Sequence, residues 1–189
     1  GTGATLIIQG DHTVVDSGGA DTIISVTGTS GTGTVTFGAA GATNNVGARI
    51  DLAAQAGQTV VLNLYGTTLD ADNTITDTAA ATNATINVLE SSSNAGTIDL
   101  LTTHAGAGEA KIIITDGQTL TLATNVGATS VTSITLGTAT AGAELNAAAA
   151  STITANILAS AADKGTLDLD ANTTIAGNIG DATNGILIT

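Results

Sequence analysis

Two histidines, His12 and His104, are the only imidazoles in a chain of 189 residues, and imidazole is the usual instrument of acid–base catalysis at neutral pH. Asp11 and Asp16 flank His12, and Ser17 lies close by. A Ser–His–Asp system needs one oriented imidazole with a carboxylate behind it, and no nucleophile-elbow spacing accompanies this one. His12 therefore reads as a solvent-facing turn residue. Sugar-cleaving enzymes pair two carboxylates across the scissile bond and normally surround them with basic and aromatic groups. Here Lys and Arg total 3, with one Phe and one Tyr. The expectation is that the chain is not an enzyme.

Carboxylates offer a second chemistry, the binding of calcium. Gly18-Gly19-Ala20-Asp21-Thr22-Ile23 follows half of the glycine–aspartate nonapeptide of calcium β-rolls. It occurs once, whereas such sites are built from consecutive turns. Asp70-Ala71-Asp72-Asn73 and Asp168-Leu169-Asp170-Ala171-Asn172 open as an EF-hand loop does. Neither has the required Gly at the sixth position or Glu at the twelfth, and the second has Thr173 and Ile179 there. Asp16, Asp21, Asp70 and Asp72 are the calcium candidates, weighed against plain solvated turn acids. No cofactor is required by this reading. The formal charge of -13 would let divalent ions stabilise the chain non-specifically. The same charge disfavours nucleic acid, because only Arg49, Lys111 and Lys164 could neutralise phosphates.

Hydroxyls are the third candidate. T-x-T pairs occur at Thr34/Thr36, Thr74/Thr76, Thr119/Thr121 and Thr152/Thr154. Outward threonine ladders on a flat face can order water, as ice-binding repeats do. These pairs are unequally spaced, and threonine is in any case a good strand former on a wet face. Asn83-Ala84-Thr85 and Asn172-Thr173-Thr174 fit the N-glycan acceptor pattern, which a chain rich in Asn and Thr contains by chance.

The elements that would carry these groups are short strands. Leu6-Ile7-Ile8, Val14-Val15, Ile23-Ile24 and Val35 to Phe37 are separated by Gly and Asp clusters, the punctuation of strands and turns. Leu167 and Leu169 alternate with Asp168 and Asp170, the period of a half-buried strand. The hydrophobic fraction is 42% with almost no aromatics, so a thick globular core is not expected. A thin core of Val, Ile, Leu, Ala and Thr closes without them. Zero Pro suits strands that donate to neighbours on both sides. No apolar run approaches the ~18 residues of a membrane-spanning helix, and the aromatic girdles of a membrane barrel are missing. Gly142 to Lys164 is Ala-rich and could form a short helix, but strand and loop are the expectation.

Phrases recur. Ile50-Asp51-Leu52, Gly96-Thr97-Ile98-Asp99-Leu100 and Gly165-Thr166-Leu167-Asp168-Leu169 match at offsets of 48 (98 − 50) and 69 (165 − 96). Gly57-Gln58-Thr59-Val60 recurs as Gly117-Gln118-Thr119-Leu120. A coil of about 23–24 residues accounts for both offsets, and such periods mark solenoids. The expected fold is an all-β parallel β-solenoid, one continuous segment over residues 1–189. The alternative is a pair of antiparallel β-sandwich domains dividing near Gly106–Glu109. Both ends look cut, so the chain is expected to be part of a longer protein.

Asn172 to Asp181, reading NTTIAGNIGD within LDLDANTTIAGNIGDATN, resembles the repeat phrase of rickettsial-type surface autotransporter passengers. The composition is similar to that of large bacterial surface-layer proteins. The resemblance implies a secreted, cell-surface β-solenoid that coats or adheres. Its partners would be neighbouring copies or segments of the same surface protein, and host or cell-surface glycans or proteins. The reading is a non-catalytic structural or adhesive module of a bacterial surface protein; the alternatives are a calcium-dependent lattice protein and, behind it, an ice-binding solenoid.

Overall fold

A computed structural model describes residues 5–8, 12–14, 23–25, 32–47, 49–52, 58–69, 74–77, 83–100, 108–122, 128–129, 131–138, 141–162 and 164–189. The chain winds repeatedly around three sides of a column. The first side is a 7-stranded sheet of Thr5–Ile8 (β1), Thr32–Phe37 (β4), Thr59–Leu64 (β7), Asn83–Val88 (β10), Ala110–Ile114 (β13), Ser133–Leu136 (β16) and Asn156–Ala159 (β19). The second is an 8-stranded sheet: His12–Val14 (β2), Asn44–Val46 (β5), Thr67–Leu69 (β8), Ser92–Asn94 (β11), Thr119–Leu122 (β14), Glu144–Asn146 (β17), Gly165–Asp168 (β20) and Ile186–Ile188 (β22). The third side begins with Ile23–Ser25 (β3), Arg49–Leu52 (β6), Thr74–Asp77 (β9) and Thr97–Asp99 (β12). It continues with Ala128–Thr129 (β15), Ser151–Ile153 (β18) and Thr173–Ile175 (β21), β15 lying against β12.

Every strand pairing among the described residues is parallel, and each strand inside a sheet pairs with those one winding before and after it, the third side being a 4-stranded sheet that ends at β12 and a 3-stranded one that begins at β15. The parallel β-solenoid is therefore the fold, and the antiparallel sandwich is not. The Ala-rich stretch from Gly142 to Lys164 supplies β17, β18 and β19, and its described residues form no helix. Stacking decides this: a strand there has a ladder waiting on the winding below, whereas a helix would leave that edge unpaired.

In-out alternation builds the core. β7 reads TVVLNL with every second residue buried, and β13 reads AKIII in the same rhythm. Successive windings set like on like. Leu6, Val35, Leu62, Ile86, Ile112, Ile134, Ile157 and Ile179 form one register row down the first side. Ile98 on the third side and Leu167 on the second are 1% and 0% exposed within one apolar cluster. No side chain has to be large, because the opposite wall is only two side chains away. Phe37 is the one aromatic in the cluster.

The windings are unequal. Steps along that row run from 29 residues (35 − 6) at one end to 22 (179 − 157) at the other. The offset of 48 is two windings, since Ile50, Ile75 and Ile98 are consecutive register partners. The offset of 69 is not three windings. Ile86 reaches Ile157 through three steps in 71 residues (157 − 86), and the matching phrases lie on different sides, GTIDL on β12 and GTLDL on β20. The two GQT phrases likewise lead into β7 of the first side and β14 of the second. All three sides impose the same demand, a small residue at the corner and then alternation. One phrase therefore serves any of them.

Candidate functional site

The four calcium candidates, Asp16, Asp21, Asp70 and Asp72, lie outside the described residues, as do Asp11, Ser17 and His104. His12 is in β2, in register with Asn44 of β5. Among the described residues no group of three or more His, Cys, Asp or Glu side chains is placed to hold a metal ion. The Asp168–Asp170 pair does converge. Asn146 Nδ2 lies 3.5 Å from Asp168 Oδ2 and 3.5 Å from Asp170 Oδ2, and Thr189 Oγ1 donates to Asp168 Oδ1 at 3.2 Å. These contacts tie three successive windings together at the end of the second side.

The outer face of that second side carries regular rows of polar side chains. Strand alternation sends Asn45, Thr68, Ser93, Thr121, Asn146 and Asp168 outward as one register row. Thr119, Glu144, Thr166 and Leu187 form a parallel row beside it. Ser93 Oγ and Thr68 Oγ1 are 3.4 Å apart across windings. A shallow hollow here is lined by Thr43, Thr67, Thr68, Ser91, Ser93 and Thr121. Those side chains donate and accept hydrogen bonds but carry no acid or base. A second hollow, at the corner between first and second sides, has Glu144 and Lys164 as its charged members, with Gln118, Thr119 and Thr166 between them.

The four T-x-T pairs do not make one ladder. Thr34/Thr36 are on the first side, Thr119/Thr121 on the second and Thr74/Thr76 on the third, while Thr152/Thr154 begin in β18. Asn83 of the first glycan-acceptor match is committed to the ladder, its Oδ1 accepting from Glu109 N at 3.1 Å, and Thr85 is buried. Asn172 of the other match is exposed at the turn before β21.

Several polar residues have structural tasks that composition does not reveal. On the first side Asn87 Nδ2 donates to Asn63 Oδ1 at 2.9 Å, and Asn63 Nδ2 donates to Thr36 Oγ1 at 3.1 Å. Glu90 takes Gly41 N–H on both carboxylate oxygens, at 2.9 and 3.0 Å, reaching past an intervening corner. Asp116 accepts from the Thr138 amide of the next winding. Inside the column Asn44, Thr67 and Ser92 follow one another in buried register positions. They finish the first-to-second corner: Asn44 Nδ2 and Thr67 Oγ1 both donate to Tyr65 O, at 2.9 and 3.1 Å, and Ser92 Oγ donates to Glu90 O at 2.8 Å. In later windings Leu120, Leu145 and Leu167 take that row over. The spacing of Asn63 and Asn87, one winding apart, was the available signal for the amide ladder. The corner acids leave no such signal because corner lengths vary.

Near the end of the chain, Asp181 Oδ1 accepts from Thr183 N and Asn184 N, both at 2.7 Å, and from Thr183 Oγ1 at 2.8 Å. The bonds from Thr183, with help from Asn184, hold the Asp181 carboxyl below its ordinary value of 3.8, because hydrogen bonds to the charged form favour it. No helix of the described residues is long and apolar enough to cross a membrane. No family model matches the chain, and no curated protein or solved structure matches it.

Proposed function

We propose that the chain is a non-catalytic structural or adhesive module of a bacterial cell-surface protein. The observation that supports this is the continuous apolar column, from Val35 to Leu167, clad in outward rows of hydroxyl and amide groups. Such a column is stiff because each interior winding hydrogen-bonds to the windings on either side of it. It holds corner loops and flat polar faces at a distance from whatever anchors it. Its partners are other segments or copies of the same surface protein, and glycans or proteins of a host or neighbouring cell, met by hydrogen bonding along the second side. Antibodies raised against the column should label intact cells that make it, and external protease should strip the label. Labelling that appears only after permeabilisation would sink the proposal.

A second reading, ice binding, draws on one specific feature. The row Thr68, Ser93, Thr121 repeats at the strand spacing of ~4.8 Å on an outward face. Thermal hysteresis in dilute buffer tests it, and freezing at the solute-determined temperature removes it.

A further inference from the structure

The hollow at the corner between the first and second sides holds two opposite charges that do not neutralise each other. Glu144 stands on an outward row of the second side, in register with Thr119 of the winding before and Thr166 of the winding after. Lys164, two residues before Thr166 and exposed, falls on the same outward face by strand alternation. The two are therefore diagonal neighbours, their backbones about 8 Å apart by the dimensions of a parallel ladder. Both border the hollow, and among the described residues neither side chain makes an ion pair or a hydrogen bond. Asp and Glu total 16 against 3 Lys and Arg, so an ammonium left without an acid partner is not the result of a shortage of acids.

Glycine makes the space. A Cβ added at Gly117 would meet nothing within 4 Å, and the bare Gly142, at φ +70, lets the Lys164 carbonyl pass close beneath the hollow. Its volume is about 210 Å³, smaller than the ~300–1,000 Å³ of pockets that take drug-sized ligands. The uncharged groups around it can hydrogen-bond. Gln118 Oε1 already accepts from Ser91 N at 2.9 Å and from Ser91 Oγ at 3.2 Å, which leaves Nε2 to donate, and Thr119 and Thr166 supply hydroxyls. A lone anion approaching Lys164 is opposed by the chain's charge of -13, and a lone cation has carboxylates to choose from elsewhere. A molecule with both charges a few bonds apart is neutral overall and satisfies both side chains at once. We infer that this corner is a binding site for a small zwitterion of the class of the free neutral α-amino acids, with the ammonium on Glu144 and the carboxylate on Lys164.

The inference goes beyond the surface role proposed above and is tested on purified protein, so the two fail separately. L-alanine titrated into isotope-labelled protein should shift the amide signals of Gln118, Thr119, Glu144 and Thr166 in a saturable way. The dissociation constant should be on the order of a millimolar, since exposed ion pairs contribute little each. Acetate and methylammonium, which carry one charge each, should bind at least about tenfold more weakly at matched ionic strength. Glu144→Gln and Lys164→Met should each weaken alanine binding by a similar factor. The exchanged pair Glu144→Lys, Lys164→Glu should restore it, with the ligand turned end for end. Wild-type shifts that never saturate overturn the proposal. So does acetate binding as tightly as alanine, which would mark a lone-anion site, or a single variant that binds alanine unchanged. Circular dichroism checks that each variant keeps its sheet; should one lose it, the wild-type comparison of alanine with its two halves decides alone.

Discussion

A single Cβ separates tolerable from intolerable at the corners. Gly142 has φ +70, and a Cβ there would overlap the carbonyl of Lys164 in the next winding. Gly117 has nearly the same φ, +72, with nothing within 4 Å of the added atom. The left-handed conformation alone costs a non-glycine residue about 1–2 kcal/mol. Gly117→Ala should therefore lose about 1 kcal/mol, and Gly142→Ala more than about 3 kcal/mol, because a backbone carbonyl cannot yield as a side chain can. Urea denaturation of the two variants measures the difference, and equal losses would contradict the placement of Lys164. Asp181 makes a prediction about pH. Its pKa is depressed in the folded chain, so the turn gains from its charge above 3.8 and loses that gain as pH falls through the lower folded value. An NMR titration of its carboxyl carbon should give a midpoint below 3.8, and Thr183→Ala, which removes the hydroxyl donor, should move it upward.

Within a strand, alternation makes neighbours unequal. In β13 Ile112 is fully buried in the core cluster, whereas Ile113 stands outward and half-buried. Ile112→Ala should cost about 2–5 kcal/mol, the usual range for such truncation in a packed interior. Ile113→Ala should cost under about 1 kcal/mol. Thermal unfolding followed by circular dichroism compares them directly, and a reversed order would mean that the register of β13 on β10 is wrong. The same alternation explains why the recurring phrases mislead about period. A strand of three or four residues carries enough pattern to say which side chains point inward, but not which of three equivalent sides it will join. Ile98 and Leu167 share an environment without sharing a face.

At the scale of the whole molecule, charge works against the column. The chain carries -13, and folding holds acids near one another, as Asp168 and Asp170 show, each with a carboxylate oxygen 3.5 Å from Asn146 Nδ2. Like charges held closer in the folded chain than in the unfolded one favour bound cations. Millimolar Ca²⁺ should raise the melting temperature by a few degrees if it acts as a diffuse counterion, and Mg²⁺ should then do nearly as much. A rise with Ca²⁺ that Mg²⁺ cannot reproduce would instead indicate an ordered site, with the acids at Asp16, Asp21, Asp70 and Asp72 the first to replace by Asn. No change with either ion would remove calcium from consideration.

Composition and alternation were enough to establish strands, a thin aliphatic interior and a stacked architecture, because a chain almost free of aromatics, with no proline and glycines at short intervals, has few other ways to bury its Ile, Val and Leu. What they could not establish was register. Which winding Ile86 lies beneath, which side takes GTLDL, and how Glu90 comes to hold Gly41 depend on corner lengths that change from turn to turn. Corners answer to the geometry of closing each circuit, and that closure exists only once the neighbouring winding is in place.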